Sequence, residues 1–440
     1  MLGTWGGGDM SLRYWQVVSS KLDVTWIGFW RLSTAACSAA LSFCLSILVT
    51  RTLGPGAFGS YTLVLWLATV MMPAIGIGAT TLTSRHTAEL QSREVPRLAA
   101  GIFYFIWRRQ FGRILLYALI YLLLIFPCFW FFGTRTPVLL LILAGLSVPP
   151  LLLGSVANIT LCSLRRYDLI ALIHMVGILA ALLLMLIATQ VPGKLIILLL
   201  VASAISSAFT LIIALICIIR LLPMGHALAP GLFLKERLTR SLNNSFLLFL
   251  LDVIVWQRSE LVLIAHWRSA AELSFYALSS MISASMMEIP PVLLSTYILP
   301  LLLRYVPGQR YSNAADAFVK TSCYMILLAV PLCIVMVLFC PAIISSWFGD
   351  TYLPAVMPLR ILLIGSTIGS ISTVSLTYLA NGERKQAQTQ LGAIAAVLNI
   401  VLSIPCILLW GITGAALAST AARVVSAVGS IVICKRHMAI

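Results

Sequence analysis

The sequence predicts an all-α polytopic membrane protein, with about twelve transmembrane helices in two six-helix lobes around a central cavity. Three observations lead there: a composition too apolar for a water-soluble globule, twelve apolar runs of spanning length, and an echo between the two halves of the chain. Of 440 residues, 61% are hydrophobic and 10% charged, against roughly 45–50% and 25% in soluble domains. Mean hydropathy is +1.04. A water-facing exterior cannot be made from so few charges. A soluble enzyme, a disordered chain and a secreted disulfide scaffold are therefore excluded.

A spanning helix needs roughly 20 mainly apolar residues. Twelve runs meet that requirement: 29–50, 59–83, 114–133, 137–163, 169–190, 195–219, 243–265, 274–302, 321–345, 355–380, 388–409 and 412–434. Residues 1–23 hold the glycines Gly6, Gly7 and Gly8 and then a mildly amphipathic stretch, Met10 to Leu22, expected to lie on the membrane surface. No cleaved signal peptide is expected, because Arg31 interrupts the apolar core and no small-residue cleavage site follows. Residues 24–225 then form the first lobe and 226–440 the second.

Charge placement orients the spans. The chain carries 29 Lys and Arg against 13 Asp and Glu, a formal charge of +16. One alternating set of loops holds 21 of the basic residues, including Arg85, Arg93, Arg97, Arg108, Arg109 and Arg113. The other set holds five, Arg51, Arg135, Lys194, Arg268 and Arg360, and three fall within spans. Basic loops stay cytoplasmic, so both termini are expected inside. The basic balance thus reflects topology and implies no nucleic acid. The ten cysteines are scattered, most of them in apolar runs, without CxxC or Cys/His clusters, so neither disulfides nor zinc are indicated. Outer loops are short, and no nucleophile, metal or phosphate-loop pattern appears, so neither enzyme activity nor a cofactor is expected.

The halves echo each other at an offset of 215. Tyr61, Leu63, Met71 and Met72 correspond to Tyr276, Leu278, Met286 and Met287. Arg165 and Arg166 correspond in place to Arg384 and Lys385, each pair lying between the fourth and fifth spans of its half. Six spans per half is an even number, so both halves run the same way, related by an axis along the membrane normal. Transporters are built on that plan, with a substrate site between the halves near the midplane.

Four stretches carry a family resemblance. Arg51-Thr-Leu-Gly-Pro-Gly-Ala-Phe-Gly-Ser-Tyr61 resembles the LGP-x-x-[FY]-G-x-Y signature of Wzx-type polysaccharide-unit flippases. These belong to the multidrug/oligosaccharidyl-lipid/polysaccharide exporter superfamily. Trp256 to Glu260, with Ala271 to Tyr276, resembles the family's seventh-helix acidic motif and the turn after it. Trp347-Phe-Gly-Asp-Thr-Tyr352 resembles the outer loop before the tenth helix. Asn381 to Arg384, with Gly411 to Ala418, resembles the opening of the twelfth. The departure is Ser274, where the family usually has glycine. The resemblance implies transfer of a polyprenyl-pyrophosphate-linked oligosaccharide from the cytoplasmic to the outer leaflet of a bacterial inner membrane. It implies alternating access coupled to H⁺ or Na⁺, with membrane lipids, a polysaccharide polymerase and a chain-length regulator as partners.

An ionisable side chain at a helix centre costs roughly 2.5–3.5 kcal/mol on insertion scales, so each needs a reason. Under that implied activity, Arg258 in span 7 is the first candidate contact for pyrophosphate or sugar. The structural alternative is a pair with Glu260 or snorkelling to the interface. Residues two apart leave a helix at about 200°, which opposes the pair. Asp252, Trp256 and Ser259 share one helix face, and such a polar and aromatic stripe suits a sugar. The alternative is packing around one neutral acid. Glu288 precedes Pro290 and Pro291, which free carbonyls a turn earlier. It and Glu260 are candidates for ion coupling, and a kink that only shapes the lobe is the alternative. Arg423 in span 12 faces either the cavity or an acid of another helix. Arg31, between Trp26 and Trp30, either snorkels to headgroups or forms a cationic entrance. His174 reads as structural, and the 85–113 cluster as a topology determinant in contact with anionic lipid.

Two rivals share the architecture. A multidrug exporter typically binds cations through an acid in its first helices, and spans 1 and 2 contain none. A lipid II flippase usually has helices beyond twelve. From another class, a non-transporting subunit of a polysaccharide assembly complex predicts that neutralising the arginines within spans leaves activity intact.

Overall fold

The computed structural model describes residues 40–69, 101–116 apart from 102, single positions within 119–123, 138–163, 166–191, 195–221, 260–291 apart from 288, 311–381 and 385–438. Among these residues the regular structure is entirely helical, without a strand. Seven helical runs are long and apolar enough to cross a bilayer, so this is a multi-pass membrane protein. Large side chains are exposed accordingly: Leu183, Leu327, Leu338 and Leu409 are 62%, 70%, 68% and 71% accessible. In water that surface would aggregate, whereas lipid tails solvate it.

Helices are numbered in chain order: α1 (40–53), α2 (55–69), α3 (103–116), α4 (Val138–Ser163), α5 (Tyr167–Thr189), α6 (Leu195–Leu221), α7 (Glu260–Trp267), α8 (Ala270–Met287), α9 (Tyr311–Trp347), α10 (Val356–Asn381), α11 (385–410) and α12 (412–438). A 3₁₀ turn, Asp350–Ala355, joins α9 to α10.

Two connections are tighter than the sequence predicts. The loop expected over 51–58 is helical on both sides of Gly54, which has φ +70°. Gly411, at φ +61°, divides α11 from α12 in the same way. A left-handed residue interrupts a helix at one position, and glycine adopts it without the steric penalty other residues meet. Pro55 then supplies a pre-set φ at the first position of α2. The reversal at Gly411 is so close that a Cβ on Gly414 would lie 1.9 Å from the Cys406 carbonyl oxygen. Helices α3 and α9 begin earlier than predicted, at 103 and 311 against 114 and 321, because Arg108, Arg109 and Arg113 in the one and Asn313, Asp316 and Lys320 in the other break the apolar run that marks a span.

Small residues set the helix contacts, as expected where lipid is as apolar as a leucine core. In the first half α6 packs along α4 and α5, and Ser206 donates to the Gly177 carbonyl at 2.9 Å. In the second half α10 packs against α8, α9, α11 and α12. There Thr420 donates to the Ile361 carbonyl at 3.1 Å and Ser375 bonds Ser430 at 2.7 Å. His174 shares a 3.0 Å hydrogen bond with Asn158 between α5 and α4, the structural role expected of it.

The 215-residue echo falls on the contact between α2 and α8. Tyr61 lies in one buried cluster with Leu278, and Leu63 in another with Tyr276. Exchanging α2 with α8 turns the first pair into the second. Gly59 and Ser274 are also 215 apart, and they meet here. A Cβ on Gly59 would stand 2.0 Å from the Ala270 carbonyl oxygen and 3.3 Å from the Ser274 amide nitrogen. One glycine at the crossing is enough. Ser274 is tolerated because its hydroxyl folds back onto the Ala271 carbonyl of its own helix, at 2.7 Å.

Candidate functional site

Of the eight residues singled out from the sequence, Glu260 and Arg423 fall within the described structure. Arg31, Asp252, Trp256, Arg258, Ser259 and Glu288 lie outside the described residues. Glu260 and Arg423 belong to one polar cluster.

Glu260 opens α7 and is 1% exposed. Asn399 on α11 donates its Nδ2 to Glu260 Oε1 at 2.8 Å, and Ser403, one turn on, donates to Asn399 Oδ1 at 3.2 Å. Glu260 Oε2 is buried and has no hydrogen-bond partner among the described residues. Ser419 of α12 stands beside the same carboxyl. Arg423 follows Ser419 by four residues, hence on the same face of α12. Its Nη1 donates to Ser366 Oγ on α10, and Ser366 Oγ bonds Ser283 Oγ on α8 at 2.8 Å. The guanidinium lies within electrostatic reach of Glu260 and Tyr276. Five helices of the second half thus contribute to a polar spine: α7, α8, α10, α11 and α12.

Arg423 thus contacts a serine of α10, with an acid of another helix, Glu260, within electrostatic reach. Asn399, Ser366 and Ser283 were not singled out from the sequence. For Asn399 a signal was present, an amide inside the apolar run 388–409. The serines had none, since serine is common in membrane helices as a packing residue. Chemically, a buried carboxyl with one oxygen unpaired has room for one more hydrogen-bonding or cationic partner.

A second constellation was not expected at all. Among the described residues, parts of the stretches that resemble the flippase family meet at one end of the bundle: the Arg51–Tyr61 turn, the segment leading into Phe275, the Trp347–Tyr352 turn and Gly411. Arg51 Nε donates to the Trp347 carbonyl at 2.7 Å, and its Nη2 to that of Ser346. The Tyr352 hydroxyl donates to the Thr50 carbonyl at 3.1 Å. The Tyr352 ring is 1% exposed and sits edge-on to Phe58 and Phe275, with centroids 6.5 and 5.9 Å away. Arg268 donates to the carbonyls of Ile407 and Leu408 at 2.7 and 3.0 Å, and lies 4.0 Å from Glu272 beside Gly411. These turns hold Arg51 and Arg268, both from the sparsely charged set of loops.

An apolar groove of about 310 Å³ lies between α4 and α6, lined by Leu143, Leu146, Pro150, Val201 and Ile205. It offers nothing to a charged or sugar group.

No known family model matches the chain, and no curated relative does. Solved structures do match in fold. A multidrug resistance MATE family transporter of the MOP superfamily, in an inward-facing conformation, superimposes with a TM-score of 0.67. Sequence identity is 12%, over 94% of this chain and 98% of that one. The lipid II flippase MurJ in an inward closed conformation gives 0.65 at 14% identity, over 93% and 87%. The Vibrio cholerae MATE transporter VcmN in its bent form gives 0.63 at 13%, over 95% and 98%. The chain therefore has the fold of these transporters over nearly its whole length.

Proposed function

We propose that this protein is a flippase that carries a polyprenyl-pyrophosphate-linked oligosaccharide from the cytoplasmic to the outer leaflet of a bacterial inner membrane. The carrying observation is the whole-length fold shared with MATE transporters and with the lipid II flippase MurJ. The four sequence blocks favour an oligosaccharide-lipid substrate within that fold. The architecture proposed is twelve spans in two lobes, 24–225 and 226–440, with both termini cytoplasmic.

The physical task explains the design. A pyrophosphate and a sugar chain cannot cross hydrocarbon unaided, because an unpaired buried charge costs several kcal/mol or more even after relaxation. A cationic cavity between the lobes replaces water and counter-ions while the prenyl tail stays in lipid. Arg258 and Arg423 are the proposed cavity cations, Asp252, Trp256 and Ser259 the sugar-facing stripe, and Arg31 the entrance. Glu260 and Glu288 are the proposed ion-coupling acids. The cluster supports Glu260 in this role, since its Oε2 is buried and unpaired among the described residues. A polymerase and a chain-length regulator are the proposed protein partners.

The test is reconstitution in proteoliposomes, following outward movement of a polyprenyl-pyrophosphate oligosaccharide. Wild type is expected to move it, and Arg258→Ala to lose at least about tenfold in rate, the loss expected on removing a charge-assisted contact. No movement by wild type under either an H⁺ or a Na⁺ gradient would overturn the reading. The MATE likeness favours a second reading, cation-coupled drug export. Drug resistance conferred on a sensitive host, with no movement of the lipid-linked sugar, would select it.

A further inference from the structure

The halves of this chain are tied together at one end by bonds that an alternating-access cycle has to break. We propose that Arg51 is the latch of that end: its guanidinium closes the outer face in the state seen here and releases α9 when the cavity opens outward. The proposal rests on the transporter reading and is independent of which substrate is carried.

The geometry supplies the argument. Ser346 and Trp347 form the last turn of α9, where backbone carbonyls have no partner within the helix. Arg51 reaches both from the α1–α2 turn, so one positive charge of the first half caps the negative end of a helix of the second. Phe43 of α1 packs edge-on against Trp347 and Phe348, at 5.0 and 5.8 Å, beside the same bonds. Below them the Tyr352 hydroxyl holds the Thr50 carbonyl, one residue from Arg51. The contact is two-layered, with a polar latch at the rim and a buried aromatic plug beneath it.

The rim layer is suited to release. Arg51 is exposed, so water takes over both its donors and the α9 carbonyls as the turn moves away. Arg268 makes the same kind of bond with a different consequence. It caps the end of α11 from the α7–α8 turn, and both elements belong to the second half. Its bonds persist if that half moves as one unit.

The latch is tested by labelling rates in a background with the ten cysteines replaced. Thr50→Cys places a thiol in the buried layer, at a fully buried position of α1 whose carbonyl accepts from the Tyr352 hydroxyl of the second half. A membrane-impermeant maleimide is added from outside, without any lipid-linked substrate. Arg51→Gln is expected to raise the labelling rate about tenfold, the loss of roughly two hydrogen bonds. Arg51→Lys is expected to fall between, and Arg268→Gln to leave the rate unchanged. Equal rates for Arg51→Gln and its parent, an equal rise for Arg268→Gln, or labelling from the cytoplasmic side alone would each overturn the proposal. If Arg51→Gln fails to accumulate, Arg51→Lys carries the test, and a parental rate for that variant overturns it. Spin labels at Thr52 and Thr351 give a second readout, in which Arg51→Gln should populate longer distances and unchanged distances count against the latch. A failed flippase assay with a positive labelling result removes the proposed substrate and leaves the latch. The converse result removes the latch alone.

Discussion

The α1–α2 turn and the α7–α8 turn occupy corresponding places in the two halves, and each carries one arginine that binds helix-end carbonyls. Arg51 reaches α9, in the other half, whereas Arg268 reaches α11, in its own. The same physics, a guanidinium on unpaired carbonyls, therefore serves two ends. In one case it ties two elements of the same half, and in the other it ties one half to the other. The chemistry of the residue does not distinguish the two roles; the helix it reaches does.

The halves differ as clearly inside. Glu260 corresponds to Leu45 at the 215-residue offset, so the second half has a buried acid where the first has a leucine. The largest expected effect follows from this asymmetry. Glu260→Gln keeps the shape and the Asn399 contact but removes the ionisable group. We expect any stimulation of transport by an ion gradient to fall by at least about tenfold, the scale of one lost charged interaction. Measuring flux with and without the gradient checks it. Stimulation that survives in Glu260→Gln would move coupling elsewhere, with Glu288 next in line.

The second prediction breaks the α2–α8 crossing from one side and then the other. Gly59→Ala drives a methyl into the Ala270 carbonyl region, 2.0 Å from the oxygen, so the helices must part. Overpacking of this kind costs about 1–3 kcal/mol, and a lower melting temperature in detergent is expected. Ser274→Gly, at the corresponding position, removes only a hydroxyl already satisfied by its own helix. A loss below about 1 kcal/mol is expected, the cost of glycine within a helix. Equal losses for both would mean that the crossing is not set by Gly59.

Much of the fold was legible in the sequence because its signals are long. A run of twenty apolar residues is a statement about one solvent, and it needs no knowledge of neighbours. Hence α4, α5, α6 and α10 lie within a few residues of their predicted ends. The turns were less legible, since Gly54 and Gly411 each compress a connection into one left-handed residue. The site was legible only as a set of charges. Glu260 stood out as an acid in an apolar setting, but its partner Asn399 and its neighbour Ser419 come from helices more than 130 residues away. The family stretches were visible as motifs, yet nothing in their order reveals that Arg51, Phe275, Trp347, Tyr352 and Gly411 come to one junction. Pairwise distance in space is what a single sequence withholds.

The smallest prediction separates the two layers of that junction. Tyr352→Phe removes the hydroxyl that donates to the Thr50 carbonyl and leaves the ring between Phe58 and Phe275. A hydrogen bond within a membrane protein is worth about 0.6 kcal/mol on average, while aromatic edge contacts of this kind add about 0.5–1.5 kcal/mol per pair. The ring should therefore hold the plug in place without its hydroxyl. We expect the melting temperature to drop by no more than a degree or two and outside labelling of Thr50→Cys to rise less than twofold, well short of Arg51→Gln. Should Tyr352→Phe match Arg51→Gln instead, the hydroxyl would be holding the junction as firmly as the guanidinium. Closure would then depend on the buried layer as much as on the rim, and the comparison between Arg51 and Arg268 would lose its force as an account of what opens and what stays.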